Sequence, residues 1–226
     1  DMEWWGTVQH GMALLGVIAP LSYILGLKHL NIAASATHEI SYTWGSSPKI
    51  DENMKWADTS IKHEGYHLNR VEKIENVVDF ARCHNSPIKL RVCYSDKRDG
   101  YNCNTCAKCQ RTILSLLLSG VNPSIYGFTA PPYLYKLILK NFGDEAVMTE
   151  GIKYQWKCLQ EKAKKTTKFY IIKDEEAESE YIKRFANIDL DSIVNKNIRS
   201  VKRKKELKFI LRNKFPYLYS FYQKVK

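Results

Sequence analysis

What the sequence lacks narrows the field first. It contains no internal repeat and no low-complexity run, which excludes solenoid stacking and a mainly disordered chain. No basic segment followed by an apolar stretch and a small-residue cleavage site opens it. Nothing therefore marks the six cysteines for an oxidising compartment, and a cytoplasmic protein is expected. Long apolar runs are scarce. The single one, 17 residues from Gly11 to Leu27, is barely long enough to cross a bilayer. It carries Pro20, Ser22 and Tyr23, and no basic residue precedes it to set an orientation. A helix buried against one face of a sheet is the expectation there.

Acids are missing from one place in particular. From Lys196 to Lys226 there are eleven Lys/Arg and one acid, Glu206. That segment carries +10 of the chain's net +11, so the other 195 residues are close to neutral. The basicity belongs to the tail and is no signature of the rest as a nucleic-acid binder. The chain has 226 residues, 44% hydrophobic and 12% aromatic, enough for a full core. Its first residue is Asp1, and a piece of a longer protein is expected.

Four of the six cysteines fall in one stretch, CYSDKRDGYNCNTCAKCQRT, as Cys93, Cys103, Cys106 and Cys109. Each C-x2-C step turns two thiolates toward one ion, and Cys93 adds the fourth. Four soft ligands without histidine or carboxylate suit a closed tetrahedral zinc site. Lys97, Arg98, Lys108 and Arg111 would offset its negative charge. An iron–sulfur cluster also takes four cysteines, but its ferredoxin run places the fourth soon after the third, followed by proline, where Gln110-Arg111 stands here. Disulfides or plain thiols are the blander alternative.

Along the chain, a helix from about His10 to Leu25 and a strand from His29 to Ala34 make half of a parallel α/β unit. A polar loop, Ser35 to Asp51, follows the strand's carboxyl end, where open α/β sheets bind ligands. Trp44, Tyr42 and His38 can stack on or bond a planar ligand there; alternatively Trp44 plugs the core edge. Glu52 to Trp56 reads as the start of a helical stretch. In HEGYH, His63 to His67, Gly65 argues against a helical metal pair. Asn69 is a cap for an amphipathic helix, Arg70 to Phe80, with Val71, Ile74, Val77 and Val78 on one face. Ile88 to Val92 reads as a second strand delivering Cys93, and Arg111 to Leu118 as an apolar helix. Pro131-Pro132 marks a boundary. Helices are then expected at Tyr133–Phe142, Glu145–Lys165, Ala177–Phe185 and Val201–Tyr222, the last broken near Pro216. The division is thus 1–128, part of an α/β domain with the metal loop, and 129–226, a helical region with the basic tail.

This order, with four cysteines followed by Arg111 and the apolar run Ile113 to Leu118, resembles the C-terminal half of the PP-loop ATP pyrophosphatases, nearest to the queuosine-precursor cyano-deazaguanine synthases. The helix start Arg70-Val71-Glu72-Lys73-Ile74 is similar to theirs as well. The likeness covers roughly residues 6–128. It implies a fold made of the C-terminal part of a Rossmann-like parallel sheet with a structural zinc loop. It also implies an enzyme that uses ATP and magnesium to adenylate a substrate oxygen, with ammonia, sulfide or another nucleophile then displacing AMP. The family's Ser-Gly-Gly-x-Asp-Ser phosphate loop does not occur in these residues, and Trp44-Gly45-Ser46-Ser47-Pro48 replaces the nucleobase loop. A small-molecule substrate other than a deazaguanine follows. Under this resemblance Arg70 and Lys73 are the catalytic candidates, and His10, Ser35, Trp44, Ser46 and Asp51 the substrate-binding ones. Each has a plainer reading: a solvated helix face for the two cations, a hydrogen-bonded histidine, and a capping aspartate.

Two other readings stand beside the enzyme. The chain could be a zinc-containing binding module whose tail, Lys202 to Lys205 with Phe209, Phe215, Tyr217, Tyr219, Phe221 and Tyr222, holds nucleic acid by charge and stacking. Or residues 196–226 lie on an anionic membrane or a protein partner, making the protein peripheral to the membrane. Nucleic acid is the less favoured partner, because aromatics at helical spacing also pack.

Overall fold

The computed structural model describes residues 4–40, 43–86, 88–93, 101–143, 148–193 and 198–225. Asp1, Tyr42, Lys97, Arg98, Glu145, Lys196 and Lys226, named above, lie outside these residues. A π-helical turn, Trp5–Gln9, leads into α1, His10–Ile24, followed by β1, His29–Ala33. After the polar loop comes a short α2, Pro48–Asp51. Lys55–Trp56 is then a strand, β2, not a helix start; it turns through Ala57, whose φ is 45°, into β3, Thr59–Glu64. The reason is the period of two in Thr59, Ile61 and His63, all buried, which suits a strand. β1 pairs parallel with β3, Ile32 opposite His63, and β2 pairs antiparallel, giving the order β1-β3-β2. The chain is therefore mixed α/β with a small three-stranded sheet, of which one pair is parallel.

The apolar run does not pack as expected. Gly6, Gly11, Leu15 and Ser22 form a narrow buried stripe, while Val17 and Tyr23 are 83% and 72% exposed. Leu15 joins Ile32 and Ile61 in a small core that ties α1 to the sheet. Trp5–Ile24 is, among the described residues, the one helix long and apolar enough to cross a membrane, with a mean hydropathy of 1.2.

α3, Arg70–Cys83, opens on a capping box: Asn69 Oδ1 accepts from the Val71 and Glu72 amides, and Glu72 accepts from the Asn69 amide. The 88–93 segment runs irregularly instead of forming a strand. Asn102 accepts from the Val92 amide at 3.0 Å and donates to the Leu90 carbonyl at 2.8 Å, and the Leu90 amide donates to the Tyr126 carbonyl at 3.0 Å. α4, Ala107–Leu118, is buried at every position from Cys109 onward. Such a helix needs cover on all sides. α3 covers part of it. The rest comes from α5, Leu134–Lys140, α6, Glu150–Lys165, and α7, Glu175–Ala186, through Leu134, Ile138, Trp156, Leu159 and Phe185. Residues before and after 128 thus share one core. The basic tail forms α8, Ile198–Lys214, and α9, Pro216–Val225, separated at Phe215 as Pro216 requires.

Candidate functional site

β1 ends at Ala33, and the turn after it lies against the first turn of α3. Here Ala34, Ser35, Ala36, Thr37 and Ile40 face Arg70, Lys73 and Ile74, with Gly151, Tyr154 and Gln155 of α6 opposite, around an open-sided cavity of about 120 Å³. That is space for a few waters, or for one small polar or anionic group. Ser35, Arg70 and Lys73, picked from two places in the sequence, line this one cavity at the carboxyl end of the parallel pair. Arg70 is the first residue of α3, and Gly151 lies in the first turn of α6. Two helix N-termini therefore meet at the cavity, and both favour negative charge. Lys73 Nζ donates to the Ala34 carbonyl at 2.8 Å, which fixes its ammonium at the rim. Burial, and then the nearby Arg70 charge, hold this ammonium below the ordinary lysine pKa. On the far wall Tyr154 donates to Glu39, and its hydroxyl sits 3.3 Å from Thr37 Oγ1. Burial and that carboxylate push the Tyr154 hydroxyl pKa up.

The other four substrate candidates form a separate, closed network. Asp51 is fully buried; its Oδ2 accepts from Ser46 Oγ and lies 2.7 Å from His63 Nδ1. A β-carbon at Gly11 would meet Asp51 Oδ1 at 2.0 Å, and one at Gly45 would meet the Val8 backbone at 2.5 Å. Only glycine lets the head of α1 settle on this loop. Trp44 packs on the His10 ring, centroids 5.1 Å apart. Burial, opposed by the Asp51 charge, keeps His10 below its usual pKa. None of His10, Trp44, Ser46 and Asp51 lines the cavity. Aspartate, not histidine, is the shared centre, so one carboxylate fixes both the Ser46 hydroxyl and the His63 ring.

The four cysteines do converge. Their sulfurs all lie within 4.8 Å of one another, with Cys103–Cys109 and Cys93–Cys106 at 3.8 Å and Cys106–Cys109 at 3.5 Å. The turn Cys103-Asn104-Thr105-Cys106 puts Asn104 at φ 60°, and the Cys106 amide donates to Cys103 Sγ at 3.3 Å. Asparagine tolerates this left-handed position better than most residues. Asn104 also accepts from the Thr129 amide, which anchors the turn from outside. Cys93 and Cys109 are fully buried. Hydrogen bonding with Cys109 pulls the Cys106 thiol down to about 4 and pushes the Cys109 thiol up. The set can hold one metal ion such as zinc.

No protein-family model, curated protein or solved structure matches this chain.

The cysteine cluster and the cavity are linked through α4 and α3. Burial lowers the pKa of both Lys108 and Arg111, with the Arg70 charge as the next cause. Arg111 is pushed down to about 10 and sits over the Trp156 ring, 5.5 Å from its centroid. Sequence reasoning missed the α6 wall. Tyr154 lies 117 positions from Thr37, and no local pattern announces such a contact. It also missed Asn102, whose polar run between two cysteines gives no hint that it replaces a strand ladder.

Proposed function

We propose that the chain carries the substrate and leaving-group side of an ATP-dependent adenylating enzyme, with a structural zinc in the four-cysteine cluster. The observation that carries this reading is the meeting of Arg70, Lys73 and Ser35 around one cavity at the carboxyl end of β1 and β3. In the reaction a substrate oxygen attacks the α-phosphorus of ATP, the bond to the bridging oxygen breaks, and pyrophosphate leaves with the electron pair. Arg70 and Lys73 would offset the charge that builds on this leaving group. Ser35 would donate to the substrate. Ammonia, sulfide or a similar nucleophile would then displace AMP. ATP would bring magnesium with it. Zinc is supported by the donor set and spacing: a tetrahedral ion with Zn–S of about 2.3 Å separates its sulfurs by about 3.8 Å. A multi-iron cage would hold them farther apart.

The test is calorimetric titration of the metal-loaded chain with pyrophosphate. Saturable binding is expected, weakened about tenfold by Arg70→Ala and by Lys73→Ala, the usual loss for one charged hydrogen bond. Binding unchanged in both variants would refute the assignment.

A second reading concerns the tail alone. Leu207, Phe209 and Ile210 on α8, Phe215 between the helices, and Tyr217 and Leu218 on α9 are exposed, Tyr217 by 91%. Exposed aromatics on basic helices support contact with an anionic membrane surface.

A further inference from the structure

Beside the cavity lies a second, much tighter one of about 10 Å³, lined by Arg70, Val71, Ile74, Arg111, Thr112, Ser115, Gln155 and Leu159. The two share Arg70, Ile74 and Gln155. Its polar atoms are unusual. Arg111 is only 7% exposed, yet its Nε and Nη1 have no hydrogen-bond partner among the described residues. Ser115 Oγ and Gln155 Oε1 are buried and unpartnered beside it. Buried guanidinium groups are almost always paired, because an uncompensated buried charge costs several kcal/mol.

The Trp156 ring repays part of that cost and offers no acceptor to the N–H groups. A water can satisfy a hydroxyl or an amide, but it brings no negative charge. Arg70 shares the wall with Arg111, and its charge adds to burial in lowering the Arg111 pKa, so the nearest charged neighbour in this cavity is a like one.

We infer that Arg111 is the recognition residue for an oxyanion carried by the substrate, a carboxylate or phosphate tip reaching past Arg70 from the larger cavity. The substrate is then a small acid. Gln155, with its amide turned, and Ser115 supply the remaining hydrogen bonds. The tight cavity admits a single oxygen-sized tip, not a whole nucleotide. This assignment rests on the cavity being the substrate's, as proposed above, and adds the chemical class of what enters it.

The experiment uses the intact, metal-loaded chain and two probes, sodium acetate and inorganic phosphate, with sodium chloride at matched ionic strength as control. The readout is the arginine Nε–H resonance in a nitrogen–proton correlation spectrum. Arg111 is identified by its disappearance in Arg111→Met and by the ring-current shift from Trp156. A saturable shift of that resonance with acetate, phosphate or both is expected, and the responding probe tells which oxyanion the site prefers. Binding should weaken about tenfold or more in Arg111→Met. The anion-free melting temperature of that variant should equal or exceed the wild type, since an apolar group of similar shape replaces an unpaired charge. If the methionine variant misfolds, the wild-type titration decides alone. No shift beyond the chloride control means a bridging water only, and overturns the inference, as does equal binding by both proteins. Pyrophosphate binding lost in Lys73→Ala while the Arg111 titration persists would separate the two assignments.

Discussion

Removal of the zinc proposed for the four-cysteine cluster is the sharpest perturbation available. Three of the six sulfur separations, 3.5, 3.8 and 3.8 Å, sit at or just below the edge of about 3.8 Å expected around one tetrahedral zinc, and all six are within 4.8 Å. Without an ion, four thiols crowd a space with Cys93 and Cys109 at 0% exposure inside the main core. Structural zinc contributes on the order of 10–16 kcal/mol to a folded site, whereas a whole domain is stable by about 5–15 kcal/mol. Chelation is therefore expected to melt the core around α4, not merely loosen a loop. Elemental analysis should find one zinc per chain, and X-ray absorption four sulfur neighbours at about 2.3 Å. After exhaustive chelation the near-ultraviolet dichroism of the buried tryptophan, Trp156, should collapse, and the thermal transition should broaden or vanish. A chain shown to be metal-free that keeps its dichroism and its melting temperature would refute the reasoning.

Two further outcomes are expected. His10 is held below 6.5 by burial, so between its folded value and 6.5 the unfolded chain binds more protons. Stability should be complete above 6.5 and decline as pH falls through that window; urea midpoints measured across it should flatten in His10→Gln, and parallel slopes would reject the assignment. At the tail, Tyr217→Ser with Leu218→Ser should reduce co-sedimentation with phosphatidylserine vesicles severalfold, and equal pelleting would remove the membrane reading.

Much of this could be read from the chain where chemistry is local. The cysteine cluster followed from spacing, because a C-x2-C step is short enough to dictate its own geometry. Asn69 announced a helix start, because its short side chain can accept from the first free amides, and Pro216 announced a break. Ser35, Arg70 and Lys73 met because strand ends and helix starts come together in α/β units. Other features were hidden for physical reasons. β3 buries polar Thr59 and His63 on the same face as Ile61, which hides its alternation from a hydrophobic pattern, and Lys55–Trp56 becomes a strand only by pairing with it. Ile88 to Val92 has a strand's composition, but its hydrogen bonds go to Asn102 and to the Tyr126 carbonyl, and composition does not report partners. The apolar run was read as a buried helix, yet only a stripe of it is covered. Apolar composition allows burial; it does not say how much surface arrives to provide it. The α6 wall came from beyond the apparent boundary at Pro131-Pro132, where a change in composition hid a continuous core.

That continuity sets how the chain can be cut. A protein severed after Phe128 would keep its sheet and all four thiols, yet it would strip Leu114, Leu117 and Ile113 of the α5, α6 and α7 side chains that shield them. The severed piece would be sticky, and its ligand cavity would lose a wall. Engineers who want the two halves apart must graft a replacement roof over α4 before the blade falls.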